Sequence, residues 1–148
     1  MKSAGFTLVE LVVTIGILAI ISAVAIPRFF GANLFESRGF YDKSAAVIRL
    51  AQKTAVAWRR PVFVCVSAGM IKAGTASGCA TTLTYPVGGA AASETAPTGV
   101  TLNAIEFSFD GLGRPSVAGA TITFTSSISG DPARTITVAA ETGYVAAN

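Results

Sequence analysis

Apolar residues fill the start of the chain almost without interruption. Between Lys2 and Arg28 the single charged residue is Glu10. As a helix that rises about 1.5 Å per residue, residues 6–26 extend about 31 Å, which matches the thickness of a bilayer's hydrocarbon core. Pro27 follows at once and removes a backbone donor, so we expect the helix to kink or to lose a turn there.

A second helix is predicted after Pro27, because apolar residues recur on one face of a 3.6-residue period. Those residues are Phe40, Val47, Ile48, Ala51, Ala55 and Trp58. We expect Trp58 to lie in the core, covered by the rest of the fold. The helix should stop at Arg60, since Pro61 disfavours helical geometry in the residue before it.

Beyond Pro61 the period changes to two, which is typical of strands with one buried face. The strand patterns are "PVFVCV", "MIKAG", "ATTLTYPV", "VTLNAIEFSFDG", "ATITFTSS" and "RTITVAA". Residues 88–99, "GGAAASETAPTG", are predicted to form an exposed loop. The predicted fold class is α+β: a long N-terminal helix, apolar in its first half and amphipathic in its second, packed on an antiparallel sheet of about five or six strands.

The composition offers little for catalysis. The chain has no histidine, which removes the commonest general base and the commonest transition-metal ligand. Its formal net charge is +3 at pH 7, and no basic cluster is larger than Arg59–Arg60, so no phosphate-binding surface is indicated. Glu106 and Asp110 share one face of a strand, where a solvated surface explains them better than a glycosidase pair. We therefore predict no enzyme activity, no metal site, no cofactor and no nucleic-acid partner.

The two cysteines, Cys65 and Cys79, enclose a short glycine-containing loop. If this part of the chain lies outside the cytoplasm they can pair, and closing a loop of about 15 residues stabilises the fold by roughly 3 kcal/mol. Two unpaired thiols are the alternative. Two candidate ligands are too few for a four-ligand zinc site.

Glu10 makes the N-terminal segment open to three interpretations. The first is a secretory signal peptide, with Lys2 as its basic region and a cut after "AVA" at residues 23–25. The second is an uncleaved anchor or a buried helix, in which Glu10 needs a partner because a carboxylate in hydrocarbon costs a few kcal/mol. The third is a cut between Gly5 and Phe6, which creates a cationic amine one helical turn from Glu10. The two charges then neutralise each other, within one chain or between neighbours.

The stretch "GFTLVEL", followed by the apolar helix and Pro27, resembles the class III signal of type IV pilins and type II secretion pseudopilins. The resemblance implies that a prepilin peptidase cuts after Gly5 and methylates the amine of Phe6. It also implies that Glu10 helps to dock the subunit among other pilin or pseudopilin subunits in a helical filament, built by an inner-membrane assembly platform. Pro27 either lets the helix bend in that filament or marks its exit from the membrane.

The resemblance divides the chain into three parts. Residues 1–5 are a prepilin leader, residues 6–27 form the transmembrane and filament-core helix, and residues 28–148 form a periplasmic globular domain, helical to about residue 60. The chain is then a single-pass protein of the inner membrane until it enters a pilus or pseudopilus.

A weaker resemblance concerns the body of the chain. The stretches "IRLAQKTAVAWRRPVFVCV" and "FDGLGRP" are similar to the minor pilins and H-type pseudopilins, nearest the minor pilin of the mannose-sensitive haemagglutinin (MSHA) pilus. This favours a minor structural subunit over a major one. The alternative from another class is a signal-anchored or secreted binding module whose sheet holds a ligand.

Overall fold

The computed structural model describes residues 7–29 and 32–148, with side chains described in residues 7–23 and 33–148. Gly5 and Phe6 lie outside the described residues, and so does the side chain of Pro27. The chain divides between Asn33 and Leu34 into an N-terminal unit and a larger globular unit.

The N-terminal unit contains helix α1, Leu8–Phe29. Thr7 caps it, because its Oγ1 accepts a hydrogen bond of 3.2 Å from the backbone N–H of Glu10. The helix includes Pro27 and ends at Phe29. Within residues 7–29 and 32–148, no helix has the combination of length and apolar character expected of a membrane span.

Helix α2, Ala32–Trp58, supplies the core of the globular unit. The predicted face is buried at Phe40, Val47, Ile48, Ala51 and Ala55. The expectation for Trp58 was wrong: its side chain is 49% exposed, and the Arg60 guanidinium lies 4.7 Å from its ring. The helix also ends two residues before Arg60, because Arg59 turns into the left-handed region at φ 51°.

Eight antiparallel strands follow α2 and form two sheets rather than one. The first sheet has the order β3-β2-β1-β5 and the second the order β4-β6-β7-β8. The strands are β1 Val62–Ser67, β2 Met70–Gly74, β3 Ser93–Thr95, β4 Val100–Leu102, β5 Ile105–Phe109, β6 Thr121–Ser126, β7 Arg134–Val138 and β8 Val145–Ala147. The α+β class and the antiparallel pairing are confirmed, while the single sheet of five or six strands is corrected to two sheets of four.

The register of the first sheet follows from its apolar face. Val64 pairs with Ala73 of β2 on one side and with Phe107 of β5 on the other, and all three are buried. A slip of one residue would turn this apolar set outward, so burial fixes the pairing. Phe40 and Tyr41 of α2 make edge-on ring contacts with Phe124 of β6 in the second sheet.

Two segments differ from expectation between β2 and β4. "ATTLTYPV" forms no strand; it has isolated bridges at Thr82 and Thr84 and further backbone hydrogen bonds at Leu83 and Tyr85. The segment 88–99 is more ordered than a loop, because it contains β3 and because Ala92 is fully buried. The reason is local: Leu83 is buried and its N–H bonds to the Ala73 carbonyl, so the chain folds over the end of β2.

Candidate functional site

In residues 7–23, the surface of the N-terminal unit is largely apolar and exposed. Ten of its large aliphatic side chains are more than half exposed within the chain: Leu8, Val9, Leu11, Val12, Val13, Ile15, Ile17, Leu18, Ile20 and Ile21. Single exposed apolar residues are ordinary, but a contiguous apolar surface of this size marks a place that another molecule covers. The first candidate site is therefore the outer surface of α1.

Glu10 lies within this surface. Only its backbone N–H is used by the Thr7 cap, so the cap makes no demand on the carboxylate. In the part of the chain that the structure describes, the Glu10 carboxylate forms neither a hydrogen bond nor a salt bridge. Its expected partner, the amine of Phe6, belongs to the residues outside the description.

The disulfide between Cys65 and Cys79 is confirmed, with the two Cα atoms 6.1 Å apart. It ties the short 3₁₀ turn Ser77–Cys79 to the outer face of β1. The turn approaches β2 so closely that a Cβ on Gly74 would lie 2.7 Å from the Cys79 Cα, which explains the glycine at that position. The alternative of two unpaired thiols is excluded.

Glu106 holds the same turn from the strand next to β1. It pairs directly with Cys65 in the β1–β5 register, and its carboxylate accepts bonds of 2.9 Å from the Gly78 N–H and the Ser77 hydroxyl. These two bonds, that of Gly78 first, lower the pKa of Glu106 below its usual value. The carboxylate is therefore occupied in fixing the turn that carries Cys79.

Asp110 fixes a second turn, in the stretch "FDGLGRP". Its Oδ1 accepts from the N–H groups of Leu112 at 2.9 Å and of Arg114 at 2.8 Å, and the bond from Arg114 is the main cause that lowers its pKa. Glu106 and Asp110 thus serve separate turns, and both were expected only to be solvated. The Asp-Gly pair was the available signal for Asp110, whereas nothing local in the sequence announced the partners of Glu106.

A buried polar cluster was missed by sequence reasoning. The side chain of Asp131 is fully buried; it accepts a hydrogen bond from Ser37 of α2, and its Oδ1 lies 2.8 Å from Arg134. The Ser37 bond is the main cause that lowers the pKa of Asp131. Tyr41 adds hydrogen bonds of 2.9 Å to the carbonyls of Thr135 and Asn148. The tripeptide "GDP" is typical of a turn and does not indicate burial, because the partner that covers Asp131, Ser37, is 94 positions away and leaves no local signal.

In the described residues, the carboxylates of Glu106 and Asp110 each accept hydrogen bonds from a turn, and that of Asp131 accepts one from Ser37 in the interior. Helix α1 carries an exposed apolar surface and is followed by the amphipathic helix α2. Helix α2 packs against antiparallel sheets, and a disulfide crosslinks β1 to the 3₁₀ turn. This arrangement is that of a globular domain preceded by a helix with an exposed apolar surface. Comparison with known proteins identifies the family to which the chain belongs.

Residues 1–26 match the family model of the prokaryotic N-terminal methylation motif, and residues 42–143 match that of type II transport protein GspH. The second match covers more than half of the chain. The chain therefore belongs to the GspH family of type II transport proteins, and it carries an N-terminal methylation motif.

A curated relative is the type IV narrow pilus major component PilA5 of Thermus thermophilus. It is 34% identical over 65 residues, which are 44% of this chain and 56% of that protein. The match thus spans little more than half the length of this relative.

Two crystal structures of the type IV minor pilin FimU from Pseudomonas aeruginosa (strain PAO1) share the fold. In the first, identity is 13%, coverage is 76% of this chain and 88% of that chain, and the TM-score is 0.58. In the second, identity is 15%, coverage is 75% and 91%, and the TM-score is 0.53. At this identity the likeness concerns the fold alone.

These findings confirm the resemblance to type IV pilins and pseudopilins. They also confirm the prediction that the chain is not an enzyme, because pilins and pseudopilins are structural subunits. The coarse function is that of a structural subunit of the pilin or pseudopilin type.

Proposed function

We propose that the protein is a minor subunit of a type IV pilus, of the MSHA-like kind, or of a type II secretion pseudopilus. A prepilin peptidase removes residues 1–5, and the mature chain waits in the inner membrane with residues 6–27 as its span and residues 28–148 in the periplasm. An inner-membrane assembly platform then draws it into a helical fibre among other pilin or pseudopilin subunits.

The observation that carries this proposal is the exposed apolar surface of α1. Burying such side chains is worth about 25 cal/mol for each Å² removed from water, so the surface is stable only against lipid or against other apolar helices. Residues 6–27 meet both environments in turn, first in the membrane and then in the fibre core. A chain cut after Ala25 would discard this surface altogether.

Glu10 gains its role from the proposed cut after Gly5. The new amine of Phe6 is a cation one helical turn away, and a carboxylate paired with a cation is far less costly in an apolar core than an unpaired one. The pair sets the register of a subunit against its neighbour. Pro27 is proposed to let the helix adjust as the subunit leaves the membrane for the fibre.

The test of the Glu10 role is incorporation into fibres. We expect Glu10→Gln, which keeps the shape of the side chain and removes its charge, to leave the membrane-bound amount unchanged and to reduce the amount in sheared fibres about tenfold, as expected for a buried charge left without its partner. Glu141→Gln, a neutralised exposed carboxylate in the globular unit, is the matched control. Equal incorporation of both variants would remove Glu10 from assembly.

The competing proposal is a binding module anchored or secreted through the same segment. It requires a ligand site on the sheets. In the described residues, Glu106, Asp110 and Asp131 are all engaged by backbone or side-chain partners of the protein itself. The pilin-type proposal is therefore the better supported.

A further inference from the structure

Residues 81–85, "TTLTY", have the composition of a strand but are paired along one edge only. Threonine and tyrosine both favour extended geometry. On the paired edge, the N–H of Leu83 donates to the Ala73 carbonyl, and the Leu83 carbonyl accepts from the N–H of Ala92. The segment therefore lies beside the end of β2 as an incomplete strand.

The opposite edge of this segment carries free backbone groups. In an extended chain the backbone N–H and C=O groups of successive residues point to opposite sides, so those of Thr82 and Thr84 point away from the partners of Leu83. Within the described residues, neither threonine forms a backbone hydrogen bond through its N–H or its carbonyl. Free groups on every second residue are a template for one more strand.

A groove of about 330 Å³, which we call the edge groove, lies between this segment and α2. Residues of both elements line it: Leu50, Lys53, Thr54, Ala57 and Trp58 from α2, and Leu83, Thr84 and Pro86 from the other side. The half-exposed ring of Trp58 thus faces the same space as Thr84. Added strands are held by backbone hydrogen bonds and selected by contacts to their side chains, and the edge groove offers both.

Lys53 gives the edge groove a positive charge. Its side chain is exposed, and it forms no salt bridge within residues 7–29 and 32–148. Lys53 and Trp58 are separated by about 7.5 Å along the axis of α2. Alternate residues of a strand, which share one face, are about 6.7 Å apart. A strand that follows α2 can therefore place a carboxylate beside Lys53 and, two residues away, an apolar side chain on Trp58.

A second copy of this chain does not suit the edge groove. The free edge at Thr84 borders a groove whose other wall is α2. Two copies would have to bring two such edges to about 4.8 Å from each other, with both helices in the way. They would also bring together two Lys53 side chains, and like charges repel. A single extended segment without a helix beside it meets neither obstacle.

We propose that the edge groove binds an extended segment of a different protein, which adds a strand beside Thr82 and Thr84. The bound segment carries an aspartate or glutamate opposite Lys53 and, two residues away, an apolar side chain against Trp58. Binding completes the pairing of residues 81–85. The inference goes beyond the proposed pilus or pseudopilus role and does not depend on it, because every residue it uses lies in the globular unit.

Amide hydrogen exchange, measured by NMR on the full-length chain in detergent micelles, tests whether the edge is free. The amides of Thr82 and Thr84 should exchange at least about tenfold faster than those of Leu83 and Tyr85, which are hydrogen-bonded within the chain. Equal protection of all four amides would overturn the proposal. So would protection of Thr84 that rises with the concentration of the chain alone, because it would assign the edge to a second copy.

Short random peptides displayed on phage and selected on the same micellar chain supply the probe for binding. We expect the selected peptides to carry an acidic residue two positions from an apolar one. A synthetic copy should slow the exchange of the Thr84 amide and shift the fluorescence of Trp58, the only tryptophan of the chain, to shorter wavelength. A selection that yields no peptide with both effects would overturn the proposal.

Matched variants separate strand addition from other modes of binding. Thr84→Pro, which removes the free N–H, should weaken the peptide about tenfold, whereas Thr84→Ala, which keeps it, should not. Lys53→Glu should weaken the peptide about fivefold, and Arg38→Glu, which alters an exposed cation of α2 outside the edge groove, is its control. Equal effects within either pair would contradict the proposal.

Methylation of the peptide's own backbone tests the same hydrogen bonds without altering the protein. N-methyl groups on the alternate residues that face Thr84 should weaken binding at least about tenfold, since each removes a donor to the edge. N-methyl groups on the intervening residues should have little effect. Equal affinity of the two methylated peptides would show that the peptide does not bind as an added strand, and would overturn the proposal.

Discussion

Ser37, near the start of α2, donates a hydrogen bond to the carboxylate of Asp131, which lies 94 positions further along the chain and is fully buried. Arg134 stands 2.8 Å from the other carboxylate oxygen. Together these contacts attach the first turns of α2 to the connection between β6 and β7 of the second sheet. The globular unit is thus held at one point by charge as well as by apolar packing.

Asp131→Ala is expected to destabilise the globular unit by about 3 kcal/mol, because it leaves Arg134 mostly buried without its counter-charge and Ser37 without its acceptor. Urea unfolding, followed by tryptophan fluorescence of Trp58, measures the change. Asp42→Ala is the control, because Asp42 is an exposed carboxylate of α2. Its loss should change the free energy of unfolding by less than about 0.5 kcal/mol. Equal effects of the two variants would contradict the role given to Asp131.

The stability should fall in acid, and Asp131 should account for part of the fall. Its pKa is lower in the folded protein than the unfolded value of about 3.9, so its contribution is present above that value and is lost as the pH falls through the folded pKa. Asp110 and Glu106 act with the same sign. Free energies of unfolding at pH 7 and at pH 3 should differ less in Asp131→Asn than in the native chain. An unchanged difference would show that Asp131 is not among the titrating groups.

Gly143→Ala should be much more damaging than Gly130→Ala, although both glycines have positive φ. A Cβ on Gly143 would collide with the Gly113 carbonyl oxygen, whereas a Cβ on Gly130 meets nothing within 4 Å. We expect about 1 kcal/mol for Gly130→Ala, from backbone strain alone, and more than about 2 kcal/mol for Gly143→Ala. Thermal unfolding measures the stability of both variants. Similar midpoint temperatures would show that the close approach of Gly143 to Gly113 does not require a glycine at position 143.

Loss of the disulfide should cost about 3 kcal/mol, the value expected for a loop of about 15 residues. The double variant Cys65→Ala, Cys79→Ala measures it by urea unfolding without any reductant. In the native chain, both thiols should resist labelling until a reductant is added. Equal labelling before and after reduction would show that the bond does not form in the cell.

The sequence predicted the helices and strands whose buried residues repeat with a regular spacing along the chain. The buried face of α2 and the alternation of Phe107 and Phe109 with Glu106 and Ser108 are confirmed, since burial on one face leaves its period in the sequence. Trp58 had the helical spacing but lies at the last position of α2, where its side chain stays half-exposed. Its spacing therefore gave no information about its burial.

The parts that could not be predicted depend on contacts between distant segments. The division into two sheets, the anchoring of the 3₁₀ turn by Glu106 and the burial of Asp131 all join residues far apart in the chain. For the candidate site, "GFTLVEL" was sufficient to predict the N-terminal methylation motif because that motif is local, whereas the GspH family match lies in residues 42–143.

The proposed function depends most directly on the N-terminus of the mature chain. Mass spectrometry of the protein isolated from its own cells measures that N-terminus. We expect a chain that begins at Phe6 and carries one methyl group on the α-amine. A chain that begins at Ile26, or that keeps Met1 to Gly5, would contradict it.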